Sequence, residues 1–151
     1  RLAVIFAGQP IWLGESLVVH ALADWFAPAH PALLLHPFAF AGWLGLFVTT
    51  LNLFPLAQLD GGHILYGLIG PRQRPVAFAF LALLLLLGNP RWGGWWGWWL
   101  WAALVLLIGR GRVTHPTVLD ATVPVTGWRR TLGWACMLIF LLTFVPLPLR
   151  L

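Results

Sequence analysis

From Phe38 to Leu59 not one side chain carries a charge, and within that stretch Gly42 and Gly45 set two small residues about one helical turn apart. Crossing the roughly 30 Å hydrocarbon core of a bilayer takes about 20 mostly apolar helical residues. The stretch therefore reads as a transmembrane helix that a neighbour can approach closely at its glycines. Composition points to the same solvent: of 151 residues 60% are hydrophobic and 9% charged, and the mean hydropathy is +0.86. A water-soluble fold of this size could not cover so much apolar surface. The sequence predicts an all-α, polytopic transmembrane helical bundle in a lipid bilayer. There is room for roughly three to five spans, some of them short or re-entrant.

All nine basic residues are arginine, set against four acids. They sit in pairs between apolar stretches and form no stripe that could track phosphates, so nucleic acid is not an expected partner. They read instead as topology anchors. Arg72 and Arg74 precede the hairpin described below and Arg110, Arg112, Arg129 and Arg130 follow it, which puts both groups on the cytoplasmic side by the positive-inside rule. The single Cys136 lies in an apolar run, which rules out an internal disulfide and a Cys-x-x-Cys metal site and fits a buried small residue.

Residues Leu2 to Leu13 are apolar but too short to span, and Gly8 and Pro10 interrupt them, so they are expected to be the end of a cut-off span or a re-entrant piece. The chain opens on Arg1 with no signal-peptide pattern, and a missing N-terminal part is expected. From Gly14 to Trp25 the residues Leu17, Val18, Ala21, Leu22 and Trp25 recur at helical spacing, with Glu15 and Asp24 off that face, as in a helix lying on the membrane surface or packing on a neighbour. Pro28, Pro31 and Pro37 then break the pattern. A helix over 36–70 carries the uncharged stretch, and Pro55, which lacks a backbone donor, is expected to kink or end it. Residues 76–108 form a helical hairpin whose Trp92, Trp95, Trp96, Trp98, Trp99 and Trp101 are expected at the headgroups as an aromatic belt. A polar loop over 110–130 holds His115 and Asp120, and 131–149 is the final helix.

Ionisable groups inside spans are costly and are functional by default. Glu15, Asp24 and Asp120 read as solvated acids, whereas no charged residue lies between Asp60 and Asp24 on one side or Arg72 on the other. Asp60 must meet a cation from elsewhere or take up a proton. On the residues alone two readings stand level: a functional carboxylate, or an Asp-Gly-Gly turn at the membrane edge whose carboxylate caps a backbone donor. Asn52 has a similar alternative, an amide that joins two helices by hydrogen bonding.

The run from His36 through Asn52-Leu53-Phe54-Pro55-Leu56-Ala57-Gln58-Leu59-Asp60-Gly61-Gly62-His63 resembles the C-terminal signature of the site-2 protease family of intramembrane metalloproteases, peptidase family M50. The resemblance is close over residues 36 to about 67. It implies a zinc ion held by two histidines of a His-Glu-x-x-His helix and by Asp60, with the glutamate of that helix as general base. It also implies that Asn52 orients the substrate or stabilises the oxyanion, that Pro55 breaks the helix, and that Gly61 and Gly62 let the backbone turn and aim Asp60. His63 would act behind the ligands, bonding the carboxylate or capping the turn. His36 and His115, each before a proline, read as loop histidines. The implied substrate is a transmembrane protein or peptide, and the implied location a bacterial inner membrane. No His-Glu pair occurs in the chain, so the histidine helix is expected upstream, the whole of 1–151 being the C-terminal part of one membrane-embedded domain. A non-catalytic relative that binds transmembrane helices is the alternative. A small transporter would need further intramembrane ionisable residues, which are absent from this sequence.

Overall fold

The computed structural model describes residues 2–27, 32–56, 59–113 and 125–150. The apolar N-terminal run is a β-hairpin and not the end of a helical span. Strands β1 (Leu2–Phe6) and β2 (Gln9–Leu13) pair antiparallel, with Phe6 opposite Gln9 and Leu2 opposite Leu13. The two-residue turn between them holds Ala7 at φ 49° and Gly8 at φ 79°, the double positive φ whose twist matches a hairpin. Pro10 is tolerated because β2 meets its other neighbour only at Trp12 and Leu13. Two short strands, β3 (Leu33–Leu34) beside β1 and β4 (Leu149–Arg150) beside β2, complete a four-stranded sheet in the order β3-β1-β2-β4. The all-α expectation is corrected to a mostly helical fold with a small mixed sheet.

Helix α1 (Leu17–Phe26) starts at Ser16, whose hydroxyl accepts from the Val19 N–H at 3.2 Å. Val19 and Ala23 face the sheet, while Leu17, Leu22, Trp25 and Phe26 stay exposed. Pro28 and Pro31 lie outside the described residues. Pro37 starts a helix rather than breaking one: α2 (Pro37–Asn52) has it at the first position, where the missing N–H costs nothing, and His36 caps it by accepting from the Phe38 N–H. The expected helix over 36–70 is two helices, because the ladder stops at Asn52 and resumes in α3 (Asp60–Ile69). A 3-10 turn (Gly70–Arg72) leads into α4 (Gln73–Leu87), and α4 packs on α5 (Gly97–Ile108) as the expected hairpin. Helix α6 (Trp128–Thr143) packs on α3 and α2, and beyond it the chain straightens into β4, so the final helix ends earlier than expected. His115, Asp120 and Pro124 fall outside the described residues. Among the described residues one helical run, Asp60–Leu87, is long and apolar enough to cross a membrane. The expected span through Phe38 is instead the shorter α2.

Two clusters make the core. One joins Leu2, Leu13 and Trp43 between the sheet and α2. The larger one centres on Phe54, whose ring meets Phe80 of α4 at 4.8 Å, Trp98 of α5 at 5.7 Å and Phe140 of α6 at 5.8 Å. The aromatic belt is corrected here: Trp98 is fully buried and donates its indole N–H to the Pro146 carbonyl at 2.7 Å. Trp92 and Trp96 are exposed, as a belt requires. Gly42 and Gly45 face open space, so no described helix uses the close approach they permit.

Candidate functional site

Asn52 is the last residue of α2 and Asp60 the first of α3. Of the residues between them, 53–56 and Leu59 are described. Leu53, Phe54, Pro55 and Leu56 are all buried, Phe54 and Leu56 completely. Pro55 cannot donate to the ladder, and the Leu56 N–H turns back onto the Phe54 carbonyl at 2.8 Å. The Leu59 N–H bonds the Leu56 carbonyl at 3.1 Å, so the carbonyl of Pro55 loses the partner it would have in a continuous helix. That carbonyl is taken by Gln73, a side chain only 1% exposed, which donates its Nε2–H at 3.1 Å.

Gly61 shows why the motif needs glycine. A Cβ there would collide with the Leu53 carbonyl and stand 2.6 Å from the Phe54 carbonyl oxygen, so α3 can fold back against the end of α2 only without a side chain. Gly62 is buried beside it. Two threonines hold the base of α2 on the other side. Thr50 donates to the Thr143 hydroxyl at 2.8 Å, and Thr143 can pass its own proton to the Ile139 carbonyl at 2.8 Å, all within a buried contact between α2 and α6. Among the described residues the side-chain hydrogen bond that joins α2 to α6 is made by Thr50.

The carboxylate of Asp60 and the amide of Asn52 are both exposed, and neither side chain is hydrogen-bonded to any described residue. Among the described residues no cation lies within 4 Å of Asp60. Neither the capping bond of Asp60 nor the bridging bond of Asn52 is made among the described residues. Asp60 lies in the first turn of α3, where the helix dipole interacts favourably with a carboxylate. His63, one turn further along α3, is exposed and shares that side of the helix. Among the described residues no three His, Cys, Asp or Glu side chains gather as a metal site. Asp60 fits as one hard oxygen donor at the start of a helix, and it fits only as one member of a larger ligand set. Sequence reasoning passed over Gln73, Thr50 and Thr143; an amide at the head of an apolar helix was the available signal for the first.

Away from this site, His20 on α1 is bracketed by Glu15 at 3.0 Å and Asp24 at 3.4 Å. The hydrogen bond to Glu15, and then the charge of Asp24, raise the imidazole above its usual value.

The sequence model of peptidase family M50 matches residues 4–88, and the chain belongs to that family, whose members are membrane-embedded peptidases. "Probable zinc metalloprotease EGY1, chloroplastic" of Arabidopsis thaliana is 32% identical over 122 residues, covering 80% of this chain and 21% of that protein. The protein of the same name from Oryza sativa subsp. japonica is 32% identical over 133 residues, covering 87% of this chain and 22% of its own length. "Probable zinc metallopeptidase EGY3, chloroplastic" of Arabidopsis thaliana is 46% identical over 50 residues, covering 33% of this chain and 9% of that protein. The chain thus spans about a fifth of the length of the first two. No solved structure matches.

Proposed function

We propose that this chain supplies the aspartate ligand of a zinc-dependent endopeptidase that cuts transmembrane proteins or peptides within the bilayer. The observation that carries the reading is the pair of polar side chains, Asn52 and Asp60, unengaged among the described residues, at the two ends of a helix break whose residues Leu53, Phe54, Pro55 and Leu56 are buried. The names of the similar plant proteins, zinc metalloproteases, support the same chemistry. Asp60 binds the metal through its carboxylate, and the remaining ligands come from a His-Glu-x-x-His helix outside this sequence. The metal that Asp60 would help to hold would supply a water of lowered pKa and a Lewis acid for the scissile carbonyl. Asn52 donates its side-chain N–H to the carbonyl oxygen of the substrate as negative charge develops there. Pro55 and Gly61 fix the angle between α2 and α3, and His63 steadies the Asp60 carboxylate.

The protein is multi-pass. The run Asp60–Leu87 is long and apolar enough to span, and the exposed apolar faces of α2, α5 and α6 suit contact with lipid or neighbouring spans. The similar metalloproteases are named as chloroplastic, so an organellar membrane stands as an alternative to the bacterial inner membrane.

The test is the zinc content of the full-length protein with and without Asp60→Ala, read alongside the coding sequence upstream of Arg1. Wild-type protein should hold one zinc ion, in about equimolar amount, and the variant should lose it. A zinc-free wild type, or a variant that keeps its metal, defeats the reading and leaves a non-catalytic protein that binds transmembrane helices.

A further inference from the structure

We infer that Gln73, at the head of α4, is a positioning residue for the metal-binding carboxylate, acting through the main chain of Pro55. The inference rests on Asp60 being a zinc ligand.

A primary amide that is 1% exposed in an apolar protein is costly to bury unless it is hydrogen-bonded, and packing alone would be served as well by leucine or methionine. Its partner is a carbonyl that the broken helix orphans. In an unbroken helix Pro55 would receive the Leu59 N–H, but Leu59 bonds Leu56 instead, and Gln73 Nε2 fills the vacancy at 3.1 Å.

The position of that bond matters more than its presence. Pro55 lies between Asn52 and Asp60, in the turn that sets where α3 begins. Beside its own short-range bonds and the packing of the Phe54 ring in the core, two features of the described residues fasten this turn. One is internal, the seat of Gly61 against the Leu53 carbonyl. The other comes from outside the motif, and it is Gln73, which ties the turn to α4 and so to the α4–α5 hairpin. A donor at residue 73 therefore fixes the direction of the Asp60 carboxylate without touching it. Groups that orient a ligand from behind typically alter metal affinity by about 10- to 100-fold when removed.

The experiment uses the full-length protein in detergent, loaded with zinc, and measures the zinc dissociation constant by chelator competition together with kcat and KM on a transmembrane peptide. Gln73→Met keeps the length of the side chain and removes the donor; Gln73→Glu replaces the donor with an acceptor. Both should weaken zinc binding by about tenfold or more and lower kcat with KM within about twofold. Leu84→Ala, in the core of the same helix, should lower the melting temperature yet leave the zinc dissociation constant unchanged. If Asp60→Ala loses zinc while both Gln73 variants bind it as wild type does, the positioning role is wrong and the ligand reading stands. If Leu84→Ala weakens zinc as much as the Gln73 variants do, the effect is general loosening and the inference fails. If Asp60→Ala keeps its zinc, the ligand reading fails and takes this inference with it.

Discussion

Gly61 sits directly against the main-chain carbonyl of Leu53, with no room between them for a methyl group. Two helices that meet at a break usually hinge there, but here the backbone of one is the seat of the other.

Gly61→Ala should therefore act on both stability and metal binding. The added carbon has to push α3 off the end of α2, since its neighbours are backbone atoms that cannot rotate away. A loss of about 2 kcal/mol is expected, as for overpacking of a tight core, together with weakened zinc retention. Thermal unfolding in detergent and metal analysis of the same sample check this, and a variant with wild-type melting temperature would show that the seat is slack.

The Thr50–Thr143 contact offers a cleaner measurement of how α2 is held to α6. Each single Thr→Val change removes the hydroxyl–hydroxyl bond, leaving the other hydroxyl only main-chain acceptors, such as Leu46 for Thr50 or Ile139 for Thr143, and should cost about 1 kcal/mol, whereas the double change should cost less than the sum. The coupling expected for a pair within a membrane bundle is about 0.6 kcal/mol. Simple additivity in the double-mutant cycle would mean that the two hydroxyls do not communicate.

Helix α1 should respond to pH through His20. Its folded-state imidazole is raised above the usual value by Glu15 and Asp24, so protonation favours the folded form. The stabilisation is complete below the unfolded value of about 6.5 and is lost as pH rises through the folded value. An NMR titration of His20 should show the raised midpoint, and Glu15→Gln should bring it down. An unchanged midpoint in that variant would remove Glu15 as the cause.

Much of the site was legible because its chemistry is local in sequence. An uncharged stretch and a proline that must kink or end it are enough to mark a break near the end of α2, and the Asp-Gly-Gly that follows singles out Asp60, but a separate helix starting at Asp60 was not read from the sequence. The hairpin of α4 and α5 was legible for the same reason, as two apolar runs around Asn89-Pro90. The sheet was not. Five-residue strands such as Leu2–Phe6, which has no polar residue at alternate positions, look like a clipped helix, and their pairing depends on residues far along the chain. Trp98 misled in another way, since an indole suits a headgroup layer and a core equally until its N–H finds a carbonyl, here Pro146. Gln73 and Thr143 were invisible because their partners lie on other helices.

Strands β2 and β4, joined through Leu13 and Leu149, are separated in the chain by all the described helices. The hairpin of β1 and β2 can close as soon as it is made, but its outer edge stays bare until all these helices have been made and the chain returns to it. The sheet is in this sense a clasp, fastened late, and a long-range contact of this kind is slow to form and leaves an unpaired edge exposed meanwhile. Assembly faults in this protein should begin at that edge, well away from the aspartate.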